Sequence, residues 1–213
     1  MPARRAYLSL TLIRCGRTPW EEAGRLQGRT NLPLSDTGRA EVEAILPYLR
    51  GASFRSVQHP PDDAASETAR LAGRACSAKA REAADLVEPD LGLWEGLADQ
   101  QFAERYPKRL KQWQDDPMSL IPPEGEPFAE ARDRVLGAVS RLLRRARTGE
   151  VAVVLHPMAL GLAQCWLADR PAAEFRAMGR NGSPVERYVL SPEAAERLGR
   201  AKTAAVTTDA RRA

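Results

Sequence analysis

Residues 150–157 read EVAVVLHP, and Val151 to Leu155 are five consecutive apolar residues without polar alternation. A strand apolar on both faces has none to offer water, so it belongs in the middle of a parallel sheet with helices on either side. The rest of the chain supplies its neighbours. Tyr7 to Ile13 is a first strand, FRSVQ a short second one and VERYVL a last one. SDTGRAEVEAILPYL opens a helix that Ser35 or Asp36 can cap, with Val42, Ile45, Leu46 and Leu49 at helical spacing. DDAASETARLAGRA is a helix with acidic residues at the amino end, where the dipole favours them. FAEARDRVLGAVSRLLRRART carries an apolar stripe through Val135, Val139, Leu142 and Leu143, and MALGLAQCWLA is a further helix. Strands alternating with helices predict an α/β fold with a mostly parallel sheet.

No internal repeat or domain boundary interrupts this pattern, so residues 1–192 are expected to form a single domain. GRTPWEEAGRLQGRTNLPLSDTG is too long for a plain connector, and loops of that length usually carry function. ADLVEPDLGLWEGL is turn-rich, with Trp94 read as core, and DQQFAERYPKRLKQWQDD is helical but punctuated by Pro107. The segment 97–127 reads as an insertion able to cap a site. Residues 193–213, poor in apolar side chains, read as a disordered tail.

Composition narrows the function classes. The 32 basic residues are spread among 28 acidic ones for a net charge of +4, which is no nucleic-acid footprint. Cys15, Cys76 and Cys165 form no C-x-x-C pair, which argues against a disulfide framework and for a reducing compartment; Cys76 and Cys165 read as inert buried thiols. Two histidines exclude a histidine-rich metal site. The amino-terminal apolar stretch is short and interrupted, a strand and not a signal peptide, and nothing approaches membrane-spanning length. A cytoplasmic, soluble protein without metal or cofactor, binding neither nucleic acid nor membrane, is the expectation. RLLRRAR (141–147) reads as the solvated face of a long helix.

Two strands end in chemistry-bearing residues, the first in Arg14-Cys15-Gly16 and the central one in His156-Pro157. In a parallel sheet both carboxyl ends lie on one edge, where Arg14, Cys15 and His156 can meet. A guanidinium fork matches phosphate oxygens, and imidazole can donate a proton or attack. A lone histidine after a buried strand also fits a structural role, and on these residues alone both readings stand.

LIRCGRTPW…GRLQGRTNLPLSDTGRAE resembles the opening of the histidine phosphatase superfamily, which includes cofactor-dependent phosphoglycerate mutases and small-molecule phosphatases. The family pattern is L-[IV]-R-H-G-x-T followed by G-R-x-Q-G-x-x-[DN]-x-P-L-S-x-x-G, and Leu12 to Gly38 match nearly every position except Cys15. LVEPDLGLWEGL, PPEGEPFAEARDRV and VAVVLHP resemble later family segments in the right order. The resemblance implies a three-layer α/β/α sandwich of phosphoglycerate mutase type and metal-independent chemistry. Carried across by position, Arg14 matches the first phosphate-clamping arginine, His156 the second histidine, Glu88 the general acid, and Thr18 and Asn31 pocket-lining positions. Three positions depart. Cys15 stands at the phospho-acceptor histidine, Ala64 at the second arginine and Pro157 at the glycine after the second histidine.

Each departure weakens phosphoryl transfer, which depends on positioning and on offsetting charge at the phosphoryl oxygens. The implied protein is a degenerate phosphatase, inactive or very weak, whose pocket of Arg14, Arg17, His156 and Glu88 binds inorganic phosphate or a phosphorylated small molecule, or whose fold serves a protein partner as a scaffold. The alternative is an active metal-independent phosphomonoesterase using Cys15, or water activated by His156, with Glu88 as acid. The C-x5-R signature of cysteine phosphatases is absent, since Glu21 stands six residues after Cys15. A compensating cation from Arg17, Arg25 or His59 favours activity; a pocket filled by Asp62 or Pro157 favours the scaffold.

Overall fold

The computed structural model describes residues 8–146, 149–191 and 197–198. Its sheet has five strands in the order β3-β2-β4-β1-β5. These are β1 (Leu8–Arg14), β2 (Phe54–His59), β3 (Lys79–Glu82), β4 (Gly149–Leu155) and β5 (Val185–Leu190). β4 pairs in parallel with both β1 and β2, and β2 in parallel with β3, while β5 runs antiparallel along β1. The unbroken apolar run thus lies at the centre of the sheet. Val151, Val153 and Leu155 enter one core cluster and Ala152 and Val154 another, because successive strand side chains point to opposite faces.

Helices cover the two faces. α2 (Asp36–Leu49), capped by Ser35, and α3 (Asp63–Ala75), capped by Asp62, close one side through Val42, Ile45, Ala65 and Ala69. The serine, not Asp36, is the α2 cap. α6 (Phe128–Ala146) and α7 (Pro157–Leu167) close the other through Val135, Val139, Leu143 and Leu160. The result is the three-layer α/β/α arrangement expected. Before α2 lies a single helical turn, α1 (Pro19–Glu22), inside the long loop after β1.

The insertion forms α4 (Asp99–Arg105) and α5 (Pro107–Asp115), divided at Pro107 as the sequence suggests. They bring Phe102 and Trp113 onto Trp94, Phe128 and Phe175, a third, aromatic core beside α7. Trp94 is fully buried there.

Besides α1, two further elements escaped the sequence reading. β3 reads Lys-Ala-Arg-Glu and is a largely exposed edge strand, so no apolar pattern marks it. α8 (Phe175–Asn181) has only seven residues, too few for a period to show. Cys76 caps the end of α3 half-buried, with its thiol on the Ala72 carbonyl, a less enclosed place than expected. The expected disordered tail falls outside the described residues, except Arg197 and Leu198; these are helical, and Leu198 packs in the core of α6 and α7.

α7 and α8 cross at a pair of glycines. A Cβ on Gly161 would lie 1.8 Å from the Phe175 carbonyl oxygen, and one on Gly179 would lie 1.7 Å from that of Pro157. Gly161→Ala is therefore expected to cost about 3 kcal/mol in chemical denaturation, since backbone would have to retreat from backbone. Gly137→Ala, in mid-helix with only the flexible Arg141 guanidinium nearby, should instead gain about 0.5–1 kcal/mol.

Candidate active site

The β1–β4 ladder delivers the site. It continues one residue past β1, the Cys15 amide donating to the Leu155 carbonyl at 2.8 Å, so Cys15 and His156 emerge side by side at the carboxyl edge. Cys15 is 1% exposed. Its sulfur lies 3.6 Å from the Thr68 hydroxyl, which also accepts the Gly16 amide at 3.3 Å. Burial raises the Cys15 thiol, and His156 and Thr68 offset this only in part. The group is a protonated thiol, a poor nucleophile.

His156 is buried at the first position before α7, and its Nε2 meets Oδ1 of Asp62 at 3.0 Å. The same oxygen accepts the Ala65 amide at 2.9 Å as the α3 cap. Nδ1 of His156 has no hydrogen-bond partner among the described residues. Burial opposes charge on the imidazole, but the Cys15 sulfur and the Asp62 carboxylate outweigh it and hold His156 well above its ordinary value. Because Cys15 stays protonated, Asp62 is the partner that sustains this. Asp62 answers in the opposite sense: burial raises its carboxyl, yet the bond and charge of His156 bring it below the usual range. The two form a buried ion pair.

Asp62 also closes the amino end of α3, where amides and dipole favour an anion. Asn31 joins it there, its Oδ1 accepting the Asp63 amide at 2.9 Å. Ala64, at the position where the resemblance expects a second arginine, is 0% exposed and packs in the apolar cluster with Ile13 and Val57. Arg25, Arg176 and Arg180 instead line a small cavity that His156 and Glu88 share. Arg17 turns to Glu41, with Nε 2.7 Å from Oε1. Arg25 donates to the Gly96 carbonyl at 2.7 Å, and His59 Nδ1 holds the Pro60 carbonyl at 2.8 Å.

Glu88 is buried against the first turn of α7, accepting the amides of Met158 and Ala159 at 2.7 Å each. Burial pushes its carboxyl up to about 7, although the His156 charge and both amides pull the other way. A carboxyl poised there can give a proton at neutral pH. Outside these groups lies a cavity of about 340 Å3 rimmed by Arg14, Arg17, Glu21, Glu41, Pro157 and Arg180. Arg14 donates to the Arg180 carbonyl at 2.6 Å, and the Arg180 side chain holds Asp99 at 2.9 Å. Among the described residues no group of three or more His, Cys, Asp or Glu is arranged to hold a metal ion, and no helix is long and apolar enough to cross a membrane.

The sequence profile described as "Histidine phosphatase superfamily (branch 1)" matches residues 10–198. The chain belongs to this superfamily. The bifunctional protein Rv2228c of Mycobacterium tuberculosis is 36% identical over 155 residues, 72% of this chain and 42% of that protein. The chain thus spans about two-fifths of that relative's length. Phosphoserine phosphatase 1 of Hydrogenobacter thermophilus is 24% identical over 172 residues, 81% of this chain and 82% of that enzyme. Among solved structures, Bacillus stearothermophilus YhfR superposes with a TM-score of 0.73 at 25% identity, covering 79% of this chain and 83% of that one. Mycobacterial glucosyl-3-phosphoglycerate phosphatase Rv2419c complexed with VO3 gives 0.73 at 22% identity, covering 86% and 97%, a likeness of fold.

Of the positions that superfamily resemblance marked, Arg14, Cys15, Glu88 and His156 converge on one edge, with Arg17 at the outer rim. Thr18 and Asn31 are held by hydrogen bonds within the fold. Thr18 caps α1 in a reciprocal box with Glu21 and donates to Gln27, and Asn31 tethers its loop to α3. The sequence reading missed the site roles of Glu21, a partly buried carboxyl raised chiefly by desolvation, and Arg180. Thr18-x-x-Glu21 is a capping-box spacing and was there to be found; nothing local announces Arg180.

The titrations fix a pH dependence. Between 4.5 and about 7 the folded chain keeps a proton on Glu88 that the unfolded chain has released, so stability falls as pH rises. His156, raised when folded, contributes fully below 6.5 and loses that contribution as pH rises through its higher folded value. Asp62, depressed, contributes above 3.8 and loses it as pH falls through its lower folded value. Denaturation should therefore show a loss from Glu88 on the order of 3 kcal/mol between pH 4.5 and 7, at roughly 1.36 kcal/mol per unit. Glu88→Gln should flatten that window and leave the slope above it.

Proposed function

We propose that this chain is a degenerate histidine phosphatase whose phosphoryl transfer is lost or severely weakened, and whose pocket is an anion site for inorganic phosphate or a phosphorylated small molecule. The observation that carries the reading is the Asp62 carboxylate 3.0 Å from Nε2 of His156. An imidazolium that would meet a phosphoryl oxygen is already matched to an internal anion. A dianionic phosphate has to displace that carboxylate or lie beside it, and like charges so close repel strongly at low dielectric. Protonated Cys15 and apolar Ala64 compound the loss, because neither the acceptor position nor the second-arginine position holds the group that phosphoryl transfer uses there. The guanidiniums near an incoming anion are Arg14, Arg17 and Arg180 at the rim and Arg25 and Arg176 beside His156, with Arg17, Arg176 and Arg180 already engaged by carboxylates.

A second reading, an active metal-independent phosphomonoesterase, has one observation in its favour. Glu88 is a buried acid with a value of about 7, suited to protonating a leaving oxygen. The relatives named phosphatases act on phosphomonoesters by name, which keeps that class the natural one to assay. A cytoplasmic location and a protein partner belong to the same proposal.

Phosphate release from an aryl phosphate and a panel of phosphometabolites separates the readings. Wild type, Cys15→Ser and Cys15→His should all be silent, because restoring an acceptor leaves Asp62 on His156 and no second clamp. Asp62→Asn keeps the α3 cap and removes the competing charge, so phosphate should bind at least tenfold more tightly in calorimetry, about 1.4 kcal/mol. Turnover by wild type that disappears in Cys15→Ser would establish the phosphomonoesterase instead.

A further inference from the structure

α6 covers only part of the sheet face beneath it. Its apolar stripe rests on Leu10, Leu12, Val151 and Val153 of β1 and β4, but β2 and β3 reach beyond. There the sheet changes character. Ser56 and Gln58, at alternate positions of β2, are buried polar side chains, with Nε2 of Gln58 donating to the Ser56 hydroxyl at 2.7 Å. They border a cleft of about 560 Å3 into which Arg55 of β2, Arg81 of β3 and Arg145 of α6 also face.

Among the described residues all three guanidiniums are unpaired, and they share one concave wall. Arg17, Arg29, Arg39, Arg134 and Arg187 each hold a carboxylate, but Arg55, Arg81 and Arg145 make no hydrogen bond or ion pair with any described residue. Two carboxylates lie in the same cleft. Glu150 is taken by Arg187, which leaves Glu82 against three guanidiniums. Solvated arginines on a helix face need no ligand, and the run 141–147 reads that way in sequence. Arg141 fits that reading, paired with Asp85. Arg145 does not, because it shares a concave wall with arginines from two strands over a hydrogen-bonding floor. Apolar residues would serve a merely structural floor better, as they do on β4.

We propose that this cleft is a second ligand site, for a small polyanion carrying phosphate or carboxylate groups. Each guanidinium fork can grip two oxygens, while the Ser56 hydroxyl, accepting from Gln58, is free to donate. The volume falls within the range of small-molecule sites, which sets the occupant as a small molecule and not a polymer. The site is separate from the His156 pocket. Glu150 and Val151 bound it at the amino end of β4, and His156 follows the carboxyl end, about 17 Å farther along at 3.3 Å per residue.

Calorimetric titration of the full chain at fixed ionic strength tests this, with pyrophosphate and citrate as probes. Binding of either at a site that Arg14→Ala leaves in place is expected, in addition to binding at the Arg14 rim, and the stronger probe names the anion class. Arg81→Ala and Arg145→Ala should each weaken it about tenfold, the size of one charge-assisted hydrogen bond. Arg81→Lys should recover little, since it keeps charge but loses the fork. Arg14→Ala, at the other pocket, should leave the affinity unchanged. The three positions are at least partly solvent-accessible, and unchanged thermal melts confirm folded variants. Affinity that falls in Arg14→Ala and holds in Arg81→Ala would put the ligand in the His156 pocket and overturn the proposal. So would full recovery by Arg81→Lys, which would mean diffuse attraction, or no binding of either probe.

Discussion

The parallel pairing of β1 with β4 is the constraint from which the site follows. Seven residues of each strand run in register, and the next amide, that of Cys15, extends the ladder into the loop. Both strands are fixed on each side, β4 by β2 and β1 by β5, so the ends that carry Cys15 and His156 have little freedom to part. The burial of Val153 and Leu155 on one face and Ala152 and Val154 on the other holds this arrangement through two cores at once. A slip of one residue would exchange the faces and carry Cys15 away from the imidazole.

On that rigid edge the ionisation of one pair sets the character of the pocket. Burial alone would leave His156 neutral and Asp62 protonated; together they are charged, because each removes the other's penalty. The pair satisfies Nε2 and the α3 amino end with a single oxygen. Electrostatic capacity that a phosphatase directs at substrate is spent inside the protein. The thiol of Cys15, pressed against Thr68 and raised by burial, stays neutral beside them.

How much of this could be read from the sequence depended on where each signal resides. β4 was legible because a strand buried on both faces leaves an uninterrupted apolar run, and α2, α3 and α6 because one face of each repeats at helical spacing. β3 was not, because an exposed edge strand carries no such pattern. Cys15 and His156 were legible as neighbours once both strands were taken as parallel. The direction of Asp62 was not: whether an acid after Pro61 turns to solvent or inward depends on how α3 starts relative to β4, a relation between elements far apart in sequence. Arg180 was hidden for the same reason, since α8 is placed by a glycine contact with α7 and not by a local motif.

Glu88 has two occupations. Besides holding a proton, it receives the first two free amides of α7 and so ties the loop before Trp94 to the helix that His156 begins. Without it those amides would be left buried and unanswered, at a cost of about 1–3 kcal/mol each. A chain that had given up chemistry altogether would still be held to that carboxylate by its folding. The presence of Glu88 is thus poor testimony for turnover.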